Sequence, residues 1–72
     1  MTFLQANLQK YLDLPAPPHL RKGQWIFQVL HELDAEIYQK ILGGEDDPFF
    51  DDERIERFLI RVGNEELQRN QG

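Results

Sequence analysis

Trp25-Ile26-Phe27-Gln28-Val29-Leu30-His31-Glu32-Leu33 is the stretch whose periodicity decides the fold. Ile26, Val29, Leu30 and Leu33 recur at i, i+3, i+4 and i+7, a spacing that lines one face of an α-helix. The same spacing returns downstream as Ile55, Phe58, Leu59 and Val62. Two such stripes need each other for burial, and no segment alternates polar and apolar residues as a half-buried strand does. The expectation is an all-α domain, a compact bundle of three or four short helices. Its expected core is Ile26, Val29, Leu30, Leu33, Ile37, Ile41, Ile55, Phe58, Leu59 and Val62.

Working outward, the boundaries carry their own signals. Thr2-Phe3-Leu4-Gln5 matches a capping box, in which the Thr hydroxyl and the Gln amide each satisfy a free helix-end donor. Leu4, Leu8, Tyr11 and Leu12 then share a helical face. Pro15 disfavours helix at the residue before it, and Pro15-Ala16-Pro17-Pro18 is a stiff, extended connector. Asp34 either caps a short third helix over 35–42 or lies inside one long bent helix. Gly43-Gly44 ends that helix through a left-handed residue. Asp51 or Asp52 caps the last helix, and Phe50 before the cap is expected to staple onto Ile55. Gly63 is read as its stop. The organisation expected for residues 1–72 is a single domain: an N-terminal helix over 1–14, a connector over 15–20, a helical core over 21–63 and a frayed tail over 64–72.

Composition narrows the function. Seventy-two residues, 40% of them apolar, allow one modest core. A core of this size rarely supplies more than about 3–5 kcal/mol without a disulfide, a metal or a second subunit. There is no cysteine, so neither a disulfide nor a thiolate metal site is available. No apolar run reaches the ~18–20 residues of a membrane span, and Met1–Leu14 is too interrupted by polar residues for a secretory signal. A cytoplasmic location is expected. The net charge of −5 divides into −1 over residues 1–36 and −4 over 37–72. That sign gives no attraction for phosphate backbones or anionic lipids, so nucleic acid is an unlikely partner and a membrane is none.

Catalytic material is scarce. Serine and cysteine are absent, Thr2 is the only threonine, and His19 and His31 belong to no metal-ligand or triad spacing. The loop Glu45-Asp46-Asp47-Pro48-Phe49-Phe50-Asp51-Asp52-Glu53 offers hard oxygen ligands, but Pro48 and two phenylalanines stand where a calcium loop needs alternate ligands. No catalytic residue, metal site or cofactor is expected. Carboxylates at the start of the last helix are instead explained by its dipole. Arg54, Arg57 and Arg61 form a basic row on that helix, expected to be laced by pairs such as Glu53 with Arg57. Trp25, beside rather than on the main stripe, serves either the core or an interface.

Two stretches together carry a resemblance. Gly23-Gln24-Trp25-Ile26-Phe27-Gln28-Val29-Leu30-His31-Glu32, followed by Asp47-Pro48-Phe49-Phe50-Asp51-Asp52-Glu53-Arg54-Ile55, resembles a group of small phage and bacterial proteins of unassigned function. They share a Gly-Gln, apolar, Leu-His-Glu helix and an Asp-Pro-Phe-aromatic-Asp-Asp turn leading into an Arg-Ile helix. The resemblance covers residues 22–60 and nothing of residues 1–20. It implies a phage or mobile-element origin and brings no activity, cofactor or site residue.

The functional expectation is therefore a small, acidic, non-enzymatic protein-interaction module that binds and modulates a cytoplasmic protein. Trp25, Asp46, Asp47, Phe49, Asp51 and Asp52 are the candidate contact residues. Aromatic burial would supply affinity, and the acidic loop would steer the module toward a basic surface, with self-association into a homodimer left open. The alternative is a helix–turn–helix DNA-binding regulator, in which Glu36, Tyr38, Gln39 and Lys40 would face the DNA.

Overall fold

Helix α1 (Phe3–Leu12) starts on Thr2, whose hydroxyl accepts from the Gln5 amide at 3.2 Å. The Gln5 side chain returns the bond to the Thr2 amide at 2.8 Å, completing the capping box. The computed structural model describes residues 1–71, with the backbone alone at Gln71. After the proline connector, helix α2 (Lys22–Leu33) and helix α3 (Ala35–Ile41) follow. A single 3-10 turn (Asp52–Arg54) then leads directly into helix α4 (Ile55–Gln71). Among the described residues there is no strand, so the fold is an all-α bundle of short helices.

Asp34 separates α2 from α3. Its backbone leaves the helical region, at φ −159° and ψ 88°, and its carboxylate caps α3 by accepting from the Ile37 amide. Gly43 ends the helical segment with φ +79°, a conformation that costs a glycine nothing.

The core unites all four helices: Leu4, Leu8 and Leu12 of α1, Ile26, Phe27 and Leu30 of α2, Ile37 and Ile41 of α3, and Phe58 and Val62 of α4. Phe27 is its hub. Its ring stacks on Tyr38 at 4.5 Å and meets Phe58 edge-to-face at 5.8 Å. This moves the buried arc of α2 away from the expected stripe. Gly23, Ile26, Phe27 and Leu30 face inward, Val29 lies at the margin, and Leu33 is 44% exposed. One large ring at the centre of an arc displaces the aliphatic residues on its far edge. Leu59 and Ile55 are likewise marginal, and Leu42, beyond the end of α3, is exposed.

Helix α4 does not stop at Gly63. It runs 17 residues, and residues 64–71, expected to fray, continue it; Gly72 lies outside the described residues. The reason is tertiary. Gly63 is buried because the Gln5 side chain of α1 crosses its surface, where a β-carbon would collide with the Gln5 amide. One turn later Glu66, only 8% exposed, accepts from the Leu4 amide. Arg69 then reaches Asp34 at 2.7 Å, tying the last turns of α4 to the α2–α3 junction.

Candidate functional site

The acidic loop is a folded turn in which nearly every carboxylate has an assignment. Asp47 is 9% exposed, and its two oxygens accept from the Gly43 and Phe49 amides, both at 2.8 Å. Both oxygens are therefore committed to the turn's own amides, whereas the sequence reading offered Asp47 as a contact carboxylate. A carboxylate that receives two backbone donors is held inside the turn it organises. Beside it, Pro48 is fully buried.

The turn is clamped against the start of α2. That helix has no side-chain cap of its own at Arg21. Asp52 supplies one from a distance, accepting from the Gly23 amide at 2.8 Å and lying 3.9 Å from the Arg21 guanidinium. Arg21 in turn donates to the Phe49 carbonyl. Gly23 makes the approach feasible, because a β-carbon there would collide with the Pro48 carbonyl. Asp51 closes the far side by accepting from the Glu53 amide at 2.9 Å as the cap of the 3-10 turn.

A second set of charges ties the other flank of the loop to α4. The Asp46 oxygens take Arg57 at 2.9 Å and Arg61 at 3.2 Å, and Arg57 also reaches Glu45 at 3.5 Å. Burial pushes the Asp46 carboxyl upward, but the Arg57 and Arg61 hydrogen bonds outweigh it and hold the group below its ordinary range. Arg61 continues to Glu65, which also meets Lys40 of α3. In place of the expected pairing with Glu53, Arg57 pairs with Glu45 and Asp46 of the loop. Arg57 and Arg61 of the arginine row face the loop, whereas Arg54 pairs with Asp51 and borders its outer side.

The two phenylalanines divide differently from expectation. Phe49 packs against the core, whereas Phe50 is 82% exposed and does not staple onto Ile55. Clamping the Phe49 carbonyl to Arg21 turns the first ring inward and leaves the next residue facing out. Phe50 leans edge-to-face on Phe49 at 4.8 Å. It borders a shallow, open depression of about 220 Å³ whose other walls are Gly43, Gly44, Asp47 and Arg54. Phe50 is an exposed aromatic that the sequence reading left out of its candidate contact residues. The hydrophobic-staple pattern assigned it a buried role.

Trp25 is half-buried, in edge-to-face contact with Tyr11 of α1 at 6.0 Å, and so belongs to the seam between α1 and α2. Of the residues proposed to read DNA, Tyr38 is sandwiched near Phe27 and His31 and Lys40 is paired with Glu65. Glu36 and Gln39 remain exposed. Among the described residues, no three His, Cys, Asp or Glu side chains are placed to hold a metal ion, and no helix is long and apolar enough to cross a membrane. No protein-family model matches the chain, and neither does any curated protein or solved structure.

Proposed function

We propose that this protein is a non-enzymatic protein-interaction module, of phage or mobile-element origin, which binds and modulates a protein partner through the turn at 47–52. The observation that carries the reading is Phe50: a large ring, 82% exposed, on a turn fixed from both sides by Asp47, Asp52 and Arg21. An aromatic side chain held in place before binding loses little further freedom on association, and such rings dominate interface energetics. Phe3 is nearly as exposed, but it stands in the first turn of α1, outside the residues that line the depression beside Phe50. Catalysis is the weaker reading. Thr2, the one hydroxyl nucleophile of its type, is held in the α1 cap, and His31 stacks against Tyr38.

Photo-crosslinking tests the reading. With p-benzoylphenylalanine at position 50, and separately at position 3, the full chain is expressed in a bacterial host and its adducts are identified by mass spectrometry. A discrete protein adduct from position 50 that is absent from position 3 is the expected result. Equal, heterogeneous adducts from both positions would overturn it.

A further inference from the structure

The depression beside Phe50 has dimensions and walls that select what can enter it. We infer that the partner inserts an aromatic side chain there, flanked in its own sequence by lysine or arginine. This inference rests on the interaction reading above and names the chemistry of the partner.

The volume comes first. About 220 Å³ is enough for a six-membered ring, since a dry protein cavity of about 150 Å³ accommodates benzene. Two of the five lining residues, Gly43 and Gly44, carry no side chain, which leaves main chain there for a flat group to approach. Asp47 lines the depression, but its oxygens are turned to the Gly43 and Phe49 amides. One wall is the Phe50 ring and another is Arg54. An aromatic insert meets the first in an edge-to-face or offset contact and the second through its π-face, the arrangement that guanidinium groups favour. An aliphatic insert would gain only the apolar contact.

The flanking charges come second. Residues 1–44 hold four carboxylates and four basic groups, and residues 55–72 hold three of each. The net charge of −5 therefore arises wholly within Glu45–Arg54, where six carboxylates face one arginine. Arg57 and Arg61 neutralise the Glu45–Asp46 flank. On the flank next to Phe50, Asp51 and Asp52 pair at longer range with Arg54 (3.8 Å) and Arg21 (3.9 Å) and stay half-exposed, and Glu53 has no ion-pair partner among the described residues. A basic segment is drawn to this edge, and an acidic one is repelled. A second copy of this chain would bring the same charge to the same place and is disfavoured for that reason.

The test uses the full-length protein, amide chemical-shift titration and three pentapeptides: Lys-Arg-Trp-Arg-Lys, Lys-Arg-Ala-Arg-Lys and Glu-Asp-Trp-Asp-Glu. The first is expected to shift Gly43, Gly44 and Phe50 to Arg54, and the other two to bind at least about tenfold more weakly. Phe50→Ala should weaken the first peptide by a similar factor and leave the alanine peptide unchanged. Glu53→Gln should weaken the first peptide at low ionic strength, with the difference vanishing at high salt. Equal binding of the tryptophan and alanine peptides overturns the inference, as does preference for the acidic peptide. Shifts centred on Glu32 and Glu36 overturn it too. Concentration-dependent shifts at 43–54 without peptide would assign the surface to a second copy and also overturn it. A position-50 adduct in cells combined with failure of the tryptophan peptide would retain the interaction reading and remove only the chemistry proposed here.

Discussion

The Glu66 carboxylate accepts a hydrogen bond from the Leu4 amide at 2.9 Å, joining the two ends of the chain across 62 positions of sequence. Leu4 lies in the first turn of α1, where amides lack intrahelical partners and the helix dipole is positive. A carboxylate buried on α4 is a fitting partner, and removing it strands a buried donor. Glu66→Ala should therefore destabilise the fold by roughly 1–3 kcal/mol. For a domain of this size that is a fall in melting temperature of about 4–8 °C per kcal/mol, read by circular dichroism. An unchanged melting temperature would show that α1 is not anchored there.

Gly63→Ala should act against helix propensity. In an exposed helix interior the substitution gains about 1 kcal/mol. Here the added methyl group meets the Gln5 side chain, which cannot retreat without losing its bonds to the Leu59 carbonyl and the Thr2 amide. Two hydrogen bonds at about 0.5–1.5 kcal/mol each outweigh the propensity gain, so the single variant is destabilised. In a Gln5→Ala background the obstacle is gone, and the same substitution becomes stabilising. The sign reversal in urea denaturation is the readout, and parallel effects in both backgrounds would contradict the packing described here.

These two residues mark where sequence reading ends. The capping box at Thr2 and the stop at Gly43 were legible because each is decided within four or five residues, whereas at Asp34 the sequence left a cap and a bent helix both open. The helical stripes were legible as helices, but the arc they bury was set by Phe27 meeting Tyr38 and Phe58, which no local period encodes. Gly63 looked like a terminator because its neighbour arrives from the opposite end of the chain. At the candidate site, the turn itself was evident. The outward ring was not, since Arg21 and Gly23, far away in sequence, choose between Phe49 and Phe50.

That choice has a direct consequence for stability. Phe49→Ala removes a ring packed on the core and should cost about 1–2 kcal/mol, a partial share of the ~1.5–3 kcal/mol for full burial of such a side chain. Phe50→Ala removes an exposed ring and should change stability by no more than about 0.5 kcal/mol. Chemical denaturation of the two variants side by side decides the matter. The reverse order would return Phe50 to the staple position and withdraw it from any contact surface.

Two carboxylates, Asp34 and Asp46, set the response of the fold to acid. The hydrogen bond from Arg69 holds the Asp34 carboxyl below its ordinary value, against the opposing effect of burial, and the Ile37 amide adds to the lowering. Asp46 is also held low: burial raises it, and Arg57 and Arg61 more than compensate. Both groups are thus more readily protonated in the unfolded chain than in the folded one. Their contribution to stability is fully present above the unfolded value of about 3.9 and is lost as the pH falls through the lower folded values. The melting temperature should accordingly be level near neutrality and drop below about pH 4. Asp34→Asn isolates one part of this. The amide oxygen can still accept from Ile37 and cap α3, but the charge opposite Arg69 is gone. The variant should melt lower than the parent at neutral pH, and the gap should narrow as the parent's own Asp34 becomes protonated. Equal separation of the two curves at pH 7 and pH 2 would mean that the ion pair between the end of α4 and the α2–α3 junction contributes nothing, and that the last turns of α4 are held by Glu66 and Leu4 alone.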